Sequence, residues 1–389
     1  MQEFDKATIN KLILKKHHLF VGTQIDDILK ITNDLCGLHA TGTIEPYIQL
    51  FIRSKNFQKE DLDTELYTKK TLGKIRGMRK TLFLLTKDLM QIIYPFAKNL
   101  TQNREQKYLE YRNISLEEYN VLSEKILELL EQKELSTREL KLAIKSKKDL
   151  TAVISVMCDQ MLLIRGKPIS SWRDRRLLYA PFRSYFPDLN LSKYTESEAI
   201  KLLIKKYINS YGPVTENDIK WWSGLIKTKV NTILEELNFQ LESIHISGLD
   251  YKYFLLSSNL NFLQQSSEPP VINLLPLLDP YMMGYKIRER YLNMSKYNYI
   301  FDRTGNATSV IIKNGTVIGI WDIVDKPKPV FKIHLFEKVN ENILNLIHSK
   351  AKELAMLIKG ENLEIELCKT MIALTDRSMG GFMSPLKES

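Results

Sequence analysis

His39 and Thr41 flank Ala40, with Gly42 directly after them. An imidazole with an ordinary pKa of about 6.5 can take a proton from water near neutrality. A hydroxyl both donates and accepts hydrogen bonds, so it can hold such a water in place. The same two residues read equally as a core histidine bonded to a backbone carbonyl and a threonine capping a turn. The other candidate residues are mostly basic. Arg76, Arg79 and Lys80 form a run beside a strand-like segment, read either as phosphate contacts or as a solvated turn. Trp172, Arg173, Arg175 and Arg176 set an aromatic ring among guanidiniums, a combination that clamps nucleic acid or packs two domains together. Lys145, Lys147 and Lys148 precede one candidate helix, and Lys220, Lys227 and Lys229 flank another. Lysines so placed approach phosphates or lie on a solvated face. Asp279, before Pro280, reads as a cap or turn residue, with a place near an active site as the alternative.

Several chemistries are missing their signatures. There is no P-loop, no GxGxxG in a dinucleotide-binding context, no HExxH and no GxSxG. His17 and His18 lack partners at ligand spacing. Cys36, Cys158 and Cys368 are odd in number and show no CxxC spacing, which argues against both a disulfide framework and a zinc site. The expectation is no metal and no organic cofactor. A net charge of +10 over 389 residues favours a polyanionic partner, because Lys and Arg displace counterions condensed on phosphates. No apolar run reaches membrane-spanning length, and the early Glu3 and Asp5 do not suit a secretory signal. A cytoplasmic protein with no membrane partner is therefore expected.

The elements that would position these residues follow a repeated order. Ser115 with Glu118 forms a capping box ahead of a helix carrying Leu122, Ile126, Leu129 and Leu130 on one face. A second box, Ser136 with Glu139, opens a short helix, and Asp149 caps a third over 150–161. Residues 162–168 read as a strand and turn. About 80 residues later Thr195 with Glu198, then Thr215 with Asp218, open a long and a short helix. A third helix, 227–237, carries Val230, Ile233, Leu234 and Leu237 at i, i+3, i+4 and i+7. Two strands, 240–245 and 251–256, follow around Gly248. Helix, short helix, helix and hairpin is the winged-helix order, whose third helix lies in the major groove when the unit reads DNA. Many such units contact protein instead.

Helix candidates at 24–35 and 44–52, then 61–66 and 71–72 ahead of 78–85, with a strand at 80–85, are read as a first, degenerate copy, with 94–104 as a linker or closing helix. Ser266 to Pro270 marks a composition boundary. Beyond it, 299–301, 309–312, 317–321, 330–335 and 363–367 are strand-like, with Asn314-Gly315 as a type I′ hairpin signal and one long helix at 340–359.

Five segments, in this order, resemble the winged-helix DNA-binding family that includes the AlkZ-like and YcaQ-like bacterial DNA glycosylases. They start at Gly37 (GLHAT), Arg76 (RGMRKTLF), Asn273 (NLLPLLDPY), Phe301 (FDRTGN) and Asn314 (NGTVIGIW). The resemblance runs over nearly the whole chain. It implies an α+β protein of three tandem winged-helix (helix-turn-helix) units in a C-shaped body, closed by a C-terminal β-rich, barrel-like domain. The units would span 1–104, 105–190, 191–262 and 263–389. It further implies a monomer holding double-stranded DNA in a basic channel, with action on alkylated purines, including bulky N7 adducts and interstrand crosslinks. The family's catalytic motif is Gln, an apolar residue, then Gln or Asp. It falls here on His39-Ala40-Thr41, which departs from the pattern at both polar positions.

An N7-alkylpurine already carries a positive charge and leaves readily, so the site must chiefly hold a water near C1′ and stabilise an oxocarbenium-like sugar. His39 and Thr41 can position that water, but Thr41 brings no negative charge. Two function classes therefore stand side by side: a monofunctional DNA glycosylase working through His39 and Thr41, and a non-catalytic winged-helix DNA-binding protein, a regulator or lesion sensor. A scaffold contacting only protein is a third.

Overall fold

The computed structural model describes residues 2–263, 269–325 and 327–376. Of the boundary expected at 266–270, residues 266–268 lie outside the described residues. The chain is mixed α+β and divides into two compact units. One comprises 28–46 and 58–204; the other comprises 1–27, 47–57 and 205–389.

Along residues 28–181 the same order of elements occurs twice. A helix Ile28–Asp34 leads to a two-residue strand Leu38–His39, helical segments Glu45–Phe51 and Lys59–Asp63, and a hairpin of Leu72–Arg76 and Leu82–Thr86. The short strand pairs with the second hairpin strand, Leu38 opposite Leu84 and His39 opposite Phe83. After the 25-residue helix Lys87–Tyr111 the pattern returns as Leu116–Gln132, Leu135–Ser136, Thr137–Ile144, Leu150–Asp159, Leu163–Pro168 and Leu177–Pro181. Again the short strand pairs with the last strand of the hairpin.

Local chemistry explains the starts of these helices. The Ser115 hydroxyl accepts from Glu118 N at 3.1 Å while the Glu118 carboxylate accepts from Ser115 N at 2.9 Å. Ser136 and Glu139 do the same, and Asp149 accepts from Thr151 N at 3.0 Å. Each such cap contributes about 1 kcal/mol. Leu150–Asp159 is apolar nearly all round and is accordingly buried, with Val153, Met157 and Cys158 packed against Ile126, Leu130 and Leu140. Each of these large side chains contributes roughly 1.5–3 kcal/mol on burial.

The second unit holds a third copy. Glu216–Ser223 and Lys227–Glu236 precede the hairpin Leu241–Ile246 and Leu249–Leu256, and Val214 bridges Phe254 where the short strand stood in the other copies. Here the hairpin gains another strand, Gln2–Phe4, paired in parallel with Gln2 opposite Ile244. A helix Lys6–Lys16 follows, capped by Asp5, whose carboxylate accepts from Thr8 N at 2.7 Å. The C-terminal part is a five-stranded sheet in the order Ile272–Leu275, Val310–Lys313, Thr316–Val324, Val330–Leu335, Glu364–Leu367. Its helix Glu341–Lys359 is the crossover between the last two strands, which run parallel.

Three expectations change. The C-terminal sheet is open rather than barrel-like, because Ile272–Leu275 and Glu364–Leu367 each pair on one side only. The segment expected as a strand at 299–301 is a helical turn, Tyr297–Ile300, and only Phe301 bridges, to Ala307. The Asp302 carboxylate accepts from Thr304 N and Asn306 N, and this tight turn ends any ladder there. The helix expected from 24 begins at Ile28, since the Asp26 carboxylate is held by Lys55 N and Asn56 N at 3.1 and 2.9 Å. Residues 94–104, expected as a linker or a closing helix, are helical, the middle of Lys87–Tyr111. Among the described residues no helix is long and apolar enough to cross a membrane.

Candidate active site

All of the first-copy candidates lie in the first unit. The strand Leu38–His39 carries His39 inward, where its ring lies 4.3 Å from that of Phe83. Ala40 N donates to Leu82 O at 2.9 Å, so the strand stays zipped to its neighbour up to Ala40. Burial, and secondarily the nearby Arg79 guanidinium, push the His39 pKa down to about 3. The imidazole is therefore neutral at pH 7, and only weakly basic. Thr41, next along, is exposed.

The chain then turns through Gly42 and Thr43 into the helix Glu45–Phe51. The Glu45 carboxylate folds back over this turn. A Cβ at residue 42 would overlap the Glu45 carboxylate, so a side chain there would push the carboxylate aside. Glu45 Oε2 is shielded from solvent and has no hydrogen-bond partner among the described residues. Burial raises the Glu45 pKa above the ordinary carboxylate value, against the opposing pull of backbone N–H groups and of Lys74 and Arg175. Lys74 Nζ donates to Gly42 O at 3.4 Å. Its pKa falls to about 8 through burial, with Arg165 adding to the drop and Glu45 opposing it. Thr43 Oγ1 donates to Arg173 O at 3.4 Å. The turn at 41–45 thus sits against basic residues drawn from both hairpins of the unit.

The predicted DNA-contact residues divide by what they touch. Arg76 turns inward, with Nε 2.8 Å from Asp159 and a guanidinium N–H donating to Lys80 O at 2.6 Å, so it braces the hairpin instead of facing phosphate. Arg79 and Lys80 form the hairpin tip with φ of 52° and 61°, left-handed values that a tight turn imposes on these side chains. Trp172, Arg173, Arg175 and Arg176 lie in the loop between the second copy's hairpin strands. Arg173 stacks on Trp172 at 5.6 Å, Arg175 is exposed, and Arg176 is tied to Asp174 at 2.7 Å. Lys147 is exposed, whereas Lys148 donates to Asn113 O at 2.6 Å and pairs with Glu118 at 2.9 Å. In the other unit Lys227 is exposed, 3.6 Å from Glu216, and Lys229 is half-buried.

Asp279 is fully buried and serves as the cap at Pro280–Met283, accepting from Tyr281 N at 2.9 Å. Arg53 binds the same carboxylate in a two-pronged pair at 2.7 and 2.9 Å. Asp279 is thus committed to structure within the second unit. Glu45 and Lys74 escape a reading of the sequence. An acid before a proline at a helix start looks like an ordinary first-turn carboxylate, and only the backbone path shows it folded over Gly42.

Comparison with known proteins agrees with this layout. Residues 32–356 match the sequence model of a family described as DNA glycosylase AlkZ-like. An interstrand DNA cross-link repair glycosylase from Streptomyces sahachiroi is 27% identical over 133 residues, a stretch covering 33% of this chain and 35% of that protein. That match spans about a third of the relative's length. The solved structure of the Streptomyces sahachiroi DNA glycosylase AlkZ aligns with a TM-score of 0.76 at 18% identity, over 95% of this chain and 100% of that one, a likeness of fold. The chain belongs to the AlkZ-like DNA glycosylase family.

Proposed function

We propose that this chain is a monofunctional DNA glycosylase that hydrolyses the N-glycosidic bond of alkylated purines, N7- or N3-adducted, in duplex DNA. Bulky and crosslinked adducts belong to the expected substrates, given the cross-link repair glycosylase among its relatives. The three copies of helix, short strand, helices and hairpin are read as winged helices that bind DNA. The observation that carries the reading is the exposed Thr41 at the family's motif position, between His39, which feels Arg79, and Glu45, which feels Lys74 and Arg175. Cations there suit the phosphates flanking a damaged nucleotide. In this reading Thr41 holds the water that attacks C1′, and neutral His39 fixes the backbone and hydrogen-bonding surface beside it. The other cations, the exposed Lys147, Arg173 and Lys227 and the half-buried Lys80 and Lys229 among them, supply sequence-independent affinity.

One observation favours a non-catalytic DNA binder: His39 is packed on Phe83 and weakly basic, poor qualities for a proton acceptor. Base release separates the two. Duplex oligonucleotides carrying N7-methylguanine, 3-methyladenine or a nitrogen-mustard crosslink are incubated with the protein, and abasic sites are then cleaved with alkali. Strand cuts at the lesion, lost in Thr41→Ala, are expected. Salt-dependent binding without cuts on any lesion would make the protein a binder only.

A further inference from the structure

We propose that the Glu45 carboxylate is the catalytic base of this centre, taking the proton from the water that attacks C1′ beside Thr41. The inference rests on the glycosylase reading and names a residue outside the His39-Ala40-Thr41 motif.

The geometry leads to Glu45 by three steps. Its Oε2 lies so close over the Gly42 Cα that it falls within about 7 Å of the Thr41 Cα. In this proposal the attacking water sits between the Thr41 hydroxyl and this oxygen, a span that a single water can bridge once the Glu45 side chain turns towards it. That oxygen is withdrawn from solvent and has no hydrogen-bond partner among the described residues, an unfinished bond in a half-buried carboxylate. Such an atom is costly to leave unmet, and a substrate-bound water would satisfy it. Finally, the motif itself supplies neither a negative charge nor a strong base, because Thr41 is uncharged and His39 is buried and weakly basic. The charged groups that face Glu45 are Lys74, from the strand Leu72–Arg76, and Arg175, from the loop of the second hairpin. Desolvation outweighs their pull and holds the carboxyl above its ordinary pKa. A base moved towards neutrality accepts a proton more readily than an ordinary glutamate.

The step balances without a co-reactant. As the bond between C1′ and N9 breaks, its electron pair goes to N9 and cancels the positive charge of the N7-alkylated purine. The developing oxocarbenium is stabilised by the carboxylate's negative charge. Water oxygen bonds to C1′, and its proton passes to Glu45, which later releases it to solvent. The products are the neutral alkylated base and an abasic site bearing a C1′ hydroxyl.

The test is single-turnover release of N7-methylguanine from a duplex by the full chain, with Glu45→Gln, Glu45→Asp and Gly42→Ala beside the parent. Glu45→Gln is expected to slow release about 100-fold or more. Gly42→Ala keeps residue 45 but pushes its carboxylate aside, and should cost at least 10-fold, a rough figure from the sensitivity of catalysis to misplacement. Glu45→Asp restores part of the rate. The parent rate should rise with pH through an acidic limb that Glu45→Gln abolishes, which a merely structural role would not do. Thermal midpoints and affinity for undamaged duplex, measured on every variant, separate misfolding from lost chemistry. Folded Glu45→Gln and Gly42→Ala proteins that release base at the parent rate would overturn the assignment while leaving the glycosylase reading intact. A parent that releases no base from any lesion would overturn both.

Discussion

Two buried histidines, one in each unit, look alike by the usual signs and differ in what surrounds them. His17 is fully buried, and desolvation, reinforced by Arg53, holds its pKa well below the ordinary value. His39 is nearly as buried, with its pKa lowered to about 3, again first by desolvation. Around His17 everything is closed: the Tyr211 and Tyr281 rings meet its ring edge-on at 4.8 and 5.9 Å, and Arg53, which donates to its carbonyl oxygen, is locked to Asp279. Next to His39 the chain opens at once into an exposed threonine, a glycine and a carboxylate with an unmet oxygen. A depressed histidine pKa therefore marks burial, and the functional signal lies in the neighbours.

That contrast breaks most forcefully at Arg53. Its removal leaves the Asp279 carboxylate buried and unpaired, so Arg53→Met should lower stability by about 3–5 kcal/mol in urea denaturation. Asp279→Asn in the same protein should return part of the loss. A change below about 1 kcal/mol would mean that the pair is not what closes this region. Next comes catalysis. Thr41→Ala should slow base release about 100-fold, whereas His17→Phe, which keeps a flat ring between the tyrosines, should release base at the parent rate. Equal losses in both would erase the distinction between the two histidines.

A smaller effect is expected in the pH dependence of stability. Both imidazoles titrate lower in the folded protein than the ordinary pKa of about 6.5, so the unfolded chain binds the extra protons. Their contribution is complete above about pH 6.5 and falls as pH drops, by about 1.4 kcal/mol per pH unit for each histidine. For His39 the decline continues to about pH 3. His17→Phe should flatten this slope by one proton and cost nothing at pH 7, because neither ring nitrogen of His17 has a hydrogen-bonding partner among the described residues. An unchanged slope would count against a neutral buried His17. The mildest change is at the surface. Lys147→Ala should reduce the slope of log affinity for duplex DNA against log salt by about 1, while Arg76→Ala, already paired with Asp159, should leave that slope alone.

Much of the fold was legible because short-range chemistry wrote it. Ser115, Ser136 and Thr215 start helices where their partner acids stand three residues on, and Asn314-Gly315 turns a hairpin with φ of 50° and 81°. Long-range pairings left no such mark. Gln2–Phe4 is a strand only because Ile244 waits 242 residues away, and Lys6–Lys16 shows too little apolar periodicity to announce itself. At the site, the positions of His39 and Thr41 came through resemblance, and their surroundings did not. Nothing local says that Arg76 meets Asp159, 83 residues on, or that Glu45 bends back over Gly42.

The parallel pairing of Gln2–Phe4 with Leu241–Ile246 also sets a schedule for the growing polypeptide. Residues 28–46 and 58–204 form a unit whose internal contacts are all made by the time residue 204 is added. The first strand and helix must wait for a partner made roughly tens of seconds later, at translation speeds of about 5–20 residues per second. Until then the apolar face of Lys6–Lys16, with Ile9, Leu12 and Ile13, lacks the part of its unit that begins at residue 205. Chaperones that hold nascent apolar segments have their window there, and slowing elongation after residue 204 should lengthen it.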